Sequence, residues 1–574
     1  MGDLRKPRAQ RRADIWLRTG ACAAALTVGW PCLAAAAPVP TDEGAVEAPA
    51  DPAPADPEPT GASVAEVEAL RSKVEALEAK LEALAQAQES SGPAKPEPEP
   101  EPEAATEAPA PEPPPPAAAA TQPPTAETTN NGESQPPDYA DGFHFGSYGR
   151  VVAAGDHRGR GARDADIVAR GSRMDESTYL ELELRREDYW ELTDSYTRVV
   201  ATLAVAHPIF HYNGNFALGA GMRNLYIEES GLGLPKLRVW VGSRMYRGDD
   251  IYLLDFWPLD SLNTVGGGAA YTFGKDFTVK LHTGVNQPNS QFFYQSVARP
   301  QPLDQPGATQ VEILDRQKII SSAKVSNIFG VGATGGIRPV LYGELHYTNK
   351  GQRETTPQTF EDVPNDVGYL VGAQLGAFTG KRSTHLNLVA RYASGLAAYG
   401  ELGTPTQLSP ERDTKGAREV LIAASGNYEV GPFGLLLGAY WRTFRNASPS
   451  LDAKDLSEGI VIARPTLWLG KIAGISLEGS YQAQRRGSLL EADDGSVSPV
   501  YGQMGRFGVM PFLSPAGRGS FTRPHLRLMY LLTARDSGAQ QMYAEHDIFA
   551  VRKLDHLMGL SAEWWFGSTS YFRD

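Results

Sequence analysis

Cysteine is nearly missing from this 574-residue chain, which has only Cys22 and Cys32. Both lie in an amino-terminal stretch where Arg5, Lys6, Arg8, Arg11, Arg12 and Arg18 precede an apolar run from Ala21 to Leu33 that ends in Ala34-Ala35-Ala36-Ala37. That order of charged, apolar and small residues is a secretory signal peptide, expected over residues 1–36. Its removal leaves no thiol for a disulfide, a thiolate metal site or nucleophilic catalysis. Long apolar runs are missing too. Although 41% of the chain is hydrophobic, no window after residue 40 offers eighteen or more continuous apolar residues, which excludes a membrane-spanning helix. Catalytic motifs are also lacking. There is no Gly-x-Ser-x-Gly elbow and no His-Glu-x-x-His, and His144, His207, His211, His282 and His346 stand isolated on separate segments. No catalytic residue, metal site or cofactor is expected, and an enzyme is not the reading the chain supports.

Positive charge is scarce only in one place. The formal net charge is −14, yet residues 38–141 hold 4 Lys and Arg against 22 Asp and Glu, while residues 142–574 hold 44 of each. The acidity belongs to an amino-terminal arm, and no basic patch invites nucleic acid. Within the arm, residues 37–60 and 91–141 are rich in Pro, Ala and Glu with little to bury, which describes extended linkers. Between them, over residues 61–90, Val67, Leu70, Val74, Leu77, Leu81 and Leu84 alternate spacings of three and four. These are the a and d positions of a short coiled coil. Lys73 and Glu78 fall at g and e, where they pair between parallel helices.

From residue 142 the period becomes two. Leu180, Leu182 and Leu184 share one face of TYLELELRR, while Tyr179, Glu181, Glu183 and Arg185 share the other. The same alternation returns at 143–153, 279–286, 385–392 and 474–482, separated by turns rich in Gly, Pro, Asn and Asp. Ionisable residues on the inner face are the reverse of what a soluble sandwich buries. With a signal peptide in front, residues 142–574 read as an all-β transmembrane antiparallel barrel of about 18 strands in the outer membrane of a Gram-negative bacterium, wide enough for an aqueous lumen.

Several segments, in order, resemble the maltoporin family, including sucrose porins that carry an extra periplasmic coiled coil. They are FGSYGR at 145–150, STYLELEL at 177–184, WVGSRMYRGDDIYLLDFWPLDS at 240–261, ARP at 463–465, TRPHLRLMYLLTA at 522–534 and GLSAEWWF at 559–566. The resemblance implies a homotrimeric outer-membrane porin for mono- or oligosaccharides, with extracellular loops folded into the lumen as a constriction. It also implies an arm in the periplasm that can touch peptidoglycan.

A pyranose presents an apolar face of C–H groups and a rim of hydroxyls, so a selective pore needs aromatic planes flanked by charges. Tyr148, Tyr179 and Trp565 fall on inward parity and match the family's stacking aromatics, and Trp257 stands where the family has a constriction tyrosine. Arg150, Glu181, Arg223, Asp250 and Asp255 match its polar track, with Arg173 and Arg244 as looser matches. A salt-bridge lattice supporting the wall would use the same charges, and an interfacial aromatic girdle the same rings. The family's further aromatics are replaced here by Gly459 and by Val371, with Tyr369 on the face of Val371. One constriction arginine is shifted to Arg247. Phe210 or Tyr212 could complete the track from a neighbouring subunit. The main alternative is an anion- or phosphate-selective or general porin tethered to peptidoglycan by its coiled coil. The carboxyl end leaves open whether Phe566 or Phe572 closes the last strand.

Overall fold

The computed structural model describes residues 141–568 except 162–163, 176–177, 207–218, 301–307, 358, 381–383, 406, 450–454 and 492–496. The expected signal peptide, linker and coiled coil, and the spacer up to residue 140, lie outside the described residues, as do Phe210, Tyr212 and Phe572.

Nineteen hydrogen-bonded segments form one sheet. Two of them, Lys318–Ser326 and Phe329–Val331, pair with the same neighbour and are one strand interrupted at Asn327 and Ile328. Eighteen wall strands result, every neighbouring pair antiparallel, and the first (Gly142–Asp156) bonds to the last (Leu554–Phe566), which closes the barrel. Phe566 ends that strand. No helix among the described residues is long and apolar enough to cross a membrane.

The period of two dictates the wall. Leu184 is 62% exposed on the outside of the second strand (Tyr179–Trp190), whereas its neighbour Glu183 is 0% exposed. Charged residues inside and leucines outside are stable only when the outer medium is hydrocarbon. At one end the strands are joined by short turns such as 191–194, 274–276 and 431–432. At the other end the connections are long, and two contain their own hairpins, Tyr294–Pro300 with Ala308–Leu314 and Gly351–Thr356 with Thr359–Val363.

Two long loops turn inward. Loop 157–178 crosses to the far wall, where the backbone N–H groups of Ile167, Ala169 and Arg170 donate to Gln482, Glu458 and the Tyr440 hydroxyl at 3.0–3.1 Å. Loop 248–260 seats Ile251, Leu253, Leu254 and Leu259, each at most 2% exposed, among inward side chains of the wall. Arg338 pins the start of this second loop through Asp249 at 3.0 Å. From the opposite end, the segment 514–524 also reaches over the lumen. Arg518 donates to the Gly470 carbonyl at 2.7 Å, the Ser520 N–H to Glu429 at 2.8 Å, and the Phe521 ring packs on His385 and edge-on to Tyr252. Tyr252 belongs to loop 248–260, so segments from both ends meet inside the barrel.

Candidate functional site

The register of three adjoining strands, the last, the first and the second, sets the site. Tyr148 stands opposite Trp565 on one side and Glu181 on the other, and Arg150 stands opposite Glu563 and Tyr179. Because all six have inward parity, each of the three strands sets one aromatic and one charged group on the lumen face. The diagonal Tyr148–Tyr179 pair has ring centroids 5.8 Å apart, inclined at 52°.

Tyr179 is held at its rim. Its hydroxyl donates to Glu181 at 2.7 Å, and Arg223 donates both to that hydroxyl and to Glu181. Arg223 reaches the lumen through a backbone irregularity. Thr202 pairs with Asn224 but Leu203 pairs with Met222, so Arg223 is the extra residue of a β-bulge in the fourth strand (Gly219–Ser230). The bulge turns Met222 outward, 51% exposed, and aims the guanidinium inward. Arg150 and Arg223 lie 5.6 and 5.7 Å from the Tyr179 ring centroid. The Tyr148 hydroxyl accepts from Arg150 at 3.3 Å and from Arg173. Tyr148 is only 4% exposed, so Tyr179, Trp565 and Trp257 leave more ring open to the lumen than it does.

Loop 248–260 faces these rows. Asp255 follows the short turn Tyr252–Leu254 with φ 47° and ψ 45°, a left-handed conformation that Asp tolerates better than most residues with a side chain. Burial pushes its carboxyl up, but Arg173, Arg150, Arg247 and Arg223 outweigh that and hold it below the ordinary carboxylate value. Asp250 lies half-buried at the loop's start. Trp257 carries the Arg247 guanidinium 3.9 Å from its ring centroid, which gives the shifted arginine a partner within the same loop region.

Tyr252 is the residue that sequence reasoning passed over, because in IYLLDFW it reads as one apolar position among several. Its hydroxyl donates to Glu563 at 2.9 Å and accepts from Arg523, its ring meets Trp565 edge-on at 6.1 Å, and Arg173 lies 5.0 Å from its centroid. Glu563 and Arg527 were also missed, although both were findable. Glu563 precedes Trp565 by two and Arg527 follows His525 by two, which puts each on inward parity.

The other positions singled out in the sequence are placed as follows. Arg244 is not brought to this group. It binds Glu228 at 2.5 Å and continues a ladder through Arg198, Glu187 and Arg185 along the second to fifth strands, a lattice that supports the wall. Val371 and Tyr369, 51% and 48% exposed, face outward, so neither position lines the lumen. Gly459 has the outward parity of Val461 and packs against Trp441, while Glu458 and Ile460 face inward. Among the described residues no group of three or more His, Cys, Asp and Glu is arranged to hold a metal ion.

The family model of the LamB porins matches residues 143–566. Among solved structures the chain is similar to OmpT, an outer membrane protein of Vibrio cholerae, at 12% identity over 75% of this chain and 100% of that one, with a TM-score of 0.31. It is similar to the outer membrane channel DcaP of Acinetobacter baumannii at 11% identity over 74% and 98%, TM-score 0.37. OccD3 (OpdP) of Pseudomonas aeruginosa aligns at 9% identity over 75% and 92%, TM-score 0.36. No curated protein matches.

Proposed function

This chain belongs to the LamB porin family and is therefore an outer-membrane channel, and from that premise we propose that the solute it selects is a saccharide. The observation that carries the reading is the strip on the last, first and second strands. There Trp565 and Tyr179 offer ring faces, Tyr148 backs them, and Arg150, Glu181 and Arg223 rim them near Asp255 of the inward loop, which also carries Trp257 and Asp250. Rings supply a plane for the C–H face of a sugar, and the flanking charges exchange hydrogen bonds with its hydroxyls as it advances. Several weak contacts in series pass a solute faster than one tight site, which would block the pore.

The same reading takes the protein as a homotrimer in the outer-membrane lipid. Residues 1–36 are removed, and the arm lies in the periplasm. Its linker (37–60), coiled coil (61–90) and spacer (91–141) carry the barrel (142–574) towards peptidoglycan.

Single-channel conductance in planar bilayers, titrated with maltose and maltodextrins, tests the saccharide assignment. Sugar should interrupt the ion current, and Tyr179→Ala should raise the half-blocking concentration roughly tenfold, the equivalent of about 1.4 kcal/mol of lost stacking and hydrogen bonding. If no mono- or oligosaccharide blocks the wild-type current, the saccharide reading fails and a general pore is left.

A further inference from the structure

Two hollows adjoin in the lumen beside Tyr252, on the side of the Tyr148–Tyr179 pair that faces the segment 514–524. The first is lined by Arg150, Arg173, Arg464 and Arg527, with Glu563 as its one carboxylate. The second is lined by Arg464, Arg523, Arg527 and His525 and has no acidic lining residue. Arg464, Arg527 and Met510 are common to both, which makes the hollows one continuous wall.

The acidic groups in reach do not match the guanidiniums. Glu563 accepts from Arg523 at 2.8 Å and Arg527 at 2.6 Å and faces Arg173 at 3.7 Å, so one carboxylate serves three cations. Arg464 is taken by Glu478 at 2.5 Å, from behind the lining. Arg173 and Arg150 are also the first of the cations that hold the Asp255 carboxyl below its ordinary value. Arg464, Arg523 and Arg527, the arginines of the second hollow, therefore have two carboxylates between them, Glu478 and Glu563. His525 adds a donor. An arginine can only donate, so the 3.2 Å contact from Arg527 makes Nδ1 the acceptor and places the ring proton on Nε2. That Nε2 is buried without a hydrogen-bond partner, on a residue 6% exposed that lines the second hollow. A buried donor left unmet is costly, and an anion is the partner that would meet it.

We infer that these hollows form an anion subsite, and that the channel favours saccharides carrying a carboxylate over their neutral parents. The inference rests on the saccharide reading above and narrows it. A bare inorganic ion gains only the guanidiniums, whereas a carboxylate carried on a pyranose also brings a C–H face that can stay outside the hollows, whose apolar walls Met510, Phe512 and Trp468 are themselves buried. The ring also has Trp565 at hand, with the Arg523 guanidinium 3.9 Å from the indole centroid, so stacking and carboxylate capture come from neighbouring groups.

The test is block of single-channel current by glucuronate, glucose and acetate, at matched ionic strength, in the full-length protein. Glucuronate should half-block at a concentration roughly tenfold below that of glucose, and Arg527→Gln should bring the two within about twofold by weakening glucuronate block more than glucose block. Arg523→Gln gives the same convergence if Arg527→Gln does not assemble. Glucose block with no preference for glucuronate overturns the subsite and leaves the saccharide reading standing. Acetate competing as well as glucuronate also overturns it, since the site would then take any small anion. Absence of block by either sugar overturns the subsite, and if maltose and maltodextrins also fail to block, the saccharide reading falls with it.

Discussion

Gly438 and Gly372 give the most direct test of whether loop 248–260 sets the width of the pore. Gly438 faces inward on the thirteenth strand (Phe433–Arg445), and a Cβ added there would lie 2.6 Å from Cγ2 of Ile251 and 3.1 Å from Cγ2 of Ile462. Neither neighbour can turn aside cheaply, since both are β-branched and both are at most 1% exposed. Valine at 438 adds that Cβ and two methyls. Inserting such a group into a packed site costs about 1–3 kcal/mol, and lifting Ile251 out of its seat forfeits about 1.5–3 kcal/mol of apolar burial. The clash is relieved at the lesser of these costs, so the preference for the seated loop should fall by about 1–3 kcal/mol. That is roughly 5- to 150-fold in the ratio of seated to unseated loop.

Single-channel recordings of Gly438→Val should show excursions to higher conductance whose occupancy rises by that factor. The wall itself should be spared, because the ladder bonds of the thirteenth strand are made by the backbone. The thermal midpoint of the β-sheet circular dichroism signal should then stay within a few degrees of wild type. Gly372→Val probes the other end of the loop, where the added Cβ would lie 2.7 Å from Cδ1 of Leu259. If both variants assemble and both give traces identical to wild type, the loop is not what narrows the channel.

Two further outcomes follow from the structure. Glu401, in the connection after the strand Thr384–Gly395, has its carboxyl pushed above the ordinary value of 4.5 by burial, although the Asn263 N–H and the Asn286 side chain donate to it. A raised folded-state pKa means that this group favours folding at and below the ordinary value and that the benefit is lost as pH rises through the raised one. Glu401→Gln should therefore raise the thermal midpoint relative to wild type at pH 7 and not at pH 4; an equal effect at both would refute the assignment. Deleting residues 38–141 should leave sugar block unchanged while increasing release of outer-membrane vesicles, and loss of block in that variant would make the arm part of the pore.

The wall was legible in the sequence and much of the lumen was not, for one physical reason. A strand's parity is local, so Leu182 outward and Glu183 inward could be read from their neighbours, and with them Tyr179, Glu181 and Trp565. Parity fails wherever the chain departs from period two. Arg223 has outward parity by counting back from Asn224 and faces inward only because a bulge intervenes, so its assignment depended on family resemblance. Tyr252 lies in a loop whose apolar run resembles a buried strand, and nothing local indicates that its hydroxyl finds Glu563, 311 residues later. Matching Tyr369 and Gly459 to the family's aromatics followed resemblance where parity, checked against Gln374 or Glu458, pointed outward.

On the proposed saccharide reading, the contacts of the aromatics explain how the strip would recognise a sugar and still release it. Arg150 and Arg223 stand 5.6 and 5.7 Å from the centroid of Tyr179, Arg173 5.0 Å from Tyr252, and Arg523 and Arg247 3.9 Å from Trp565 and Trp257. A guanidinium over a ring is worth about 0.5–2 kcal/mol, the more as water is excluded. A pyranose that stacks on such a ring must share the face or move the cation aside, and its net affinity is the stacking gain less that loss. The displaced guanidinium is not wasted, since it becomes a donor to the sugar's hydroxyls or, beside Glu563, to a carboxylate. Binding at each ring is thereby kept near balance, and transfer from one ring to the next exchanges one near-equal set of contacts for another. The wall itself then supplies the weakness that conduction demands, and the seated loops need not open for each passage.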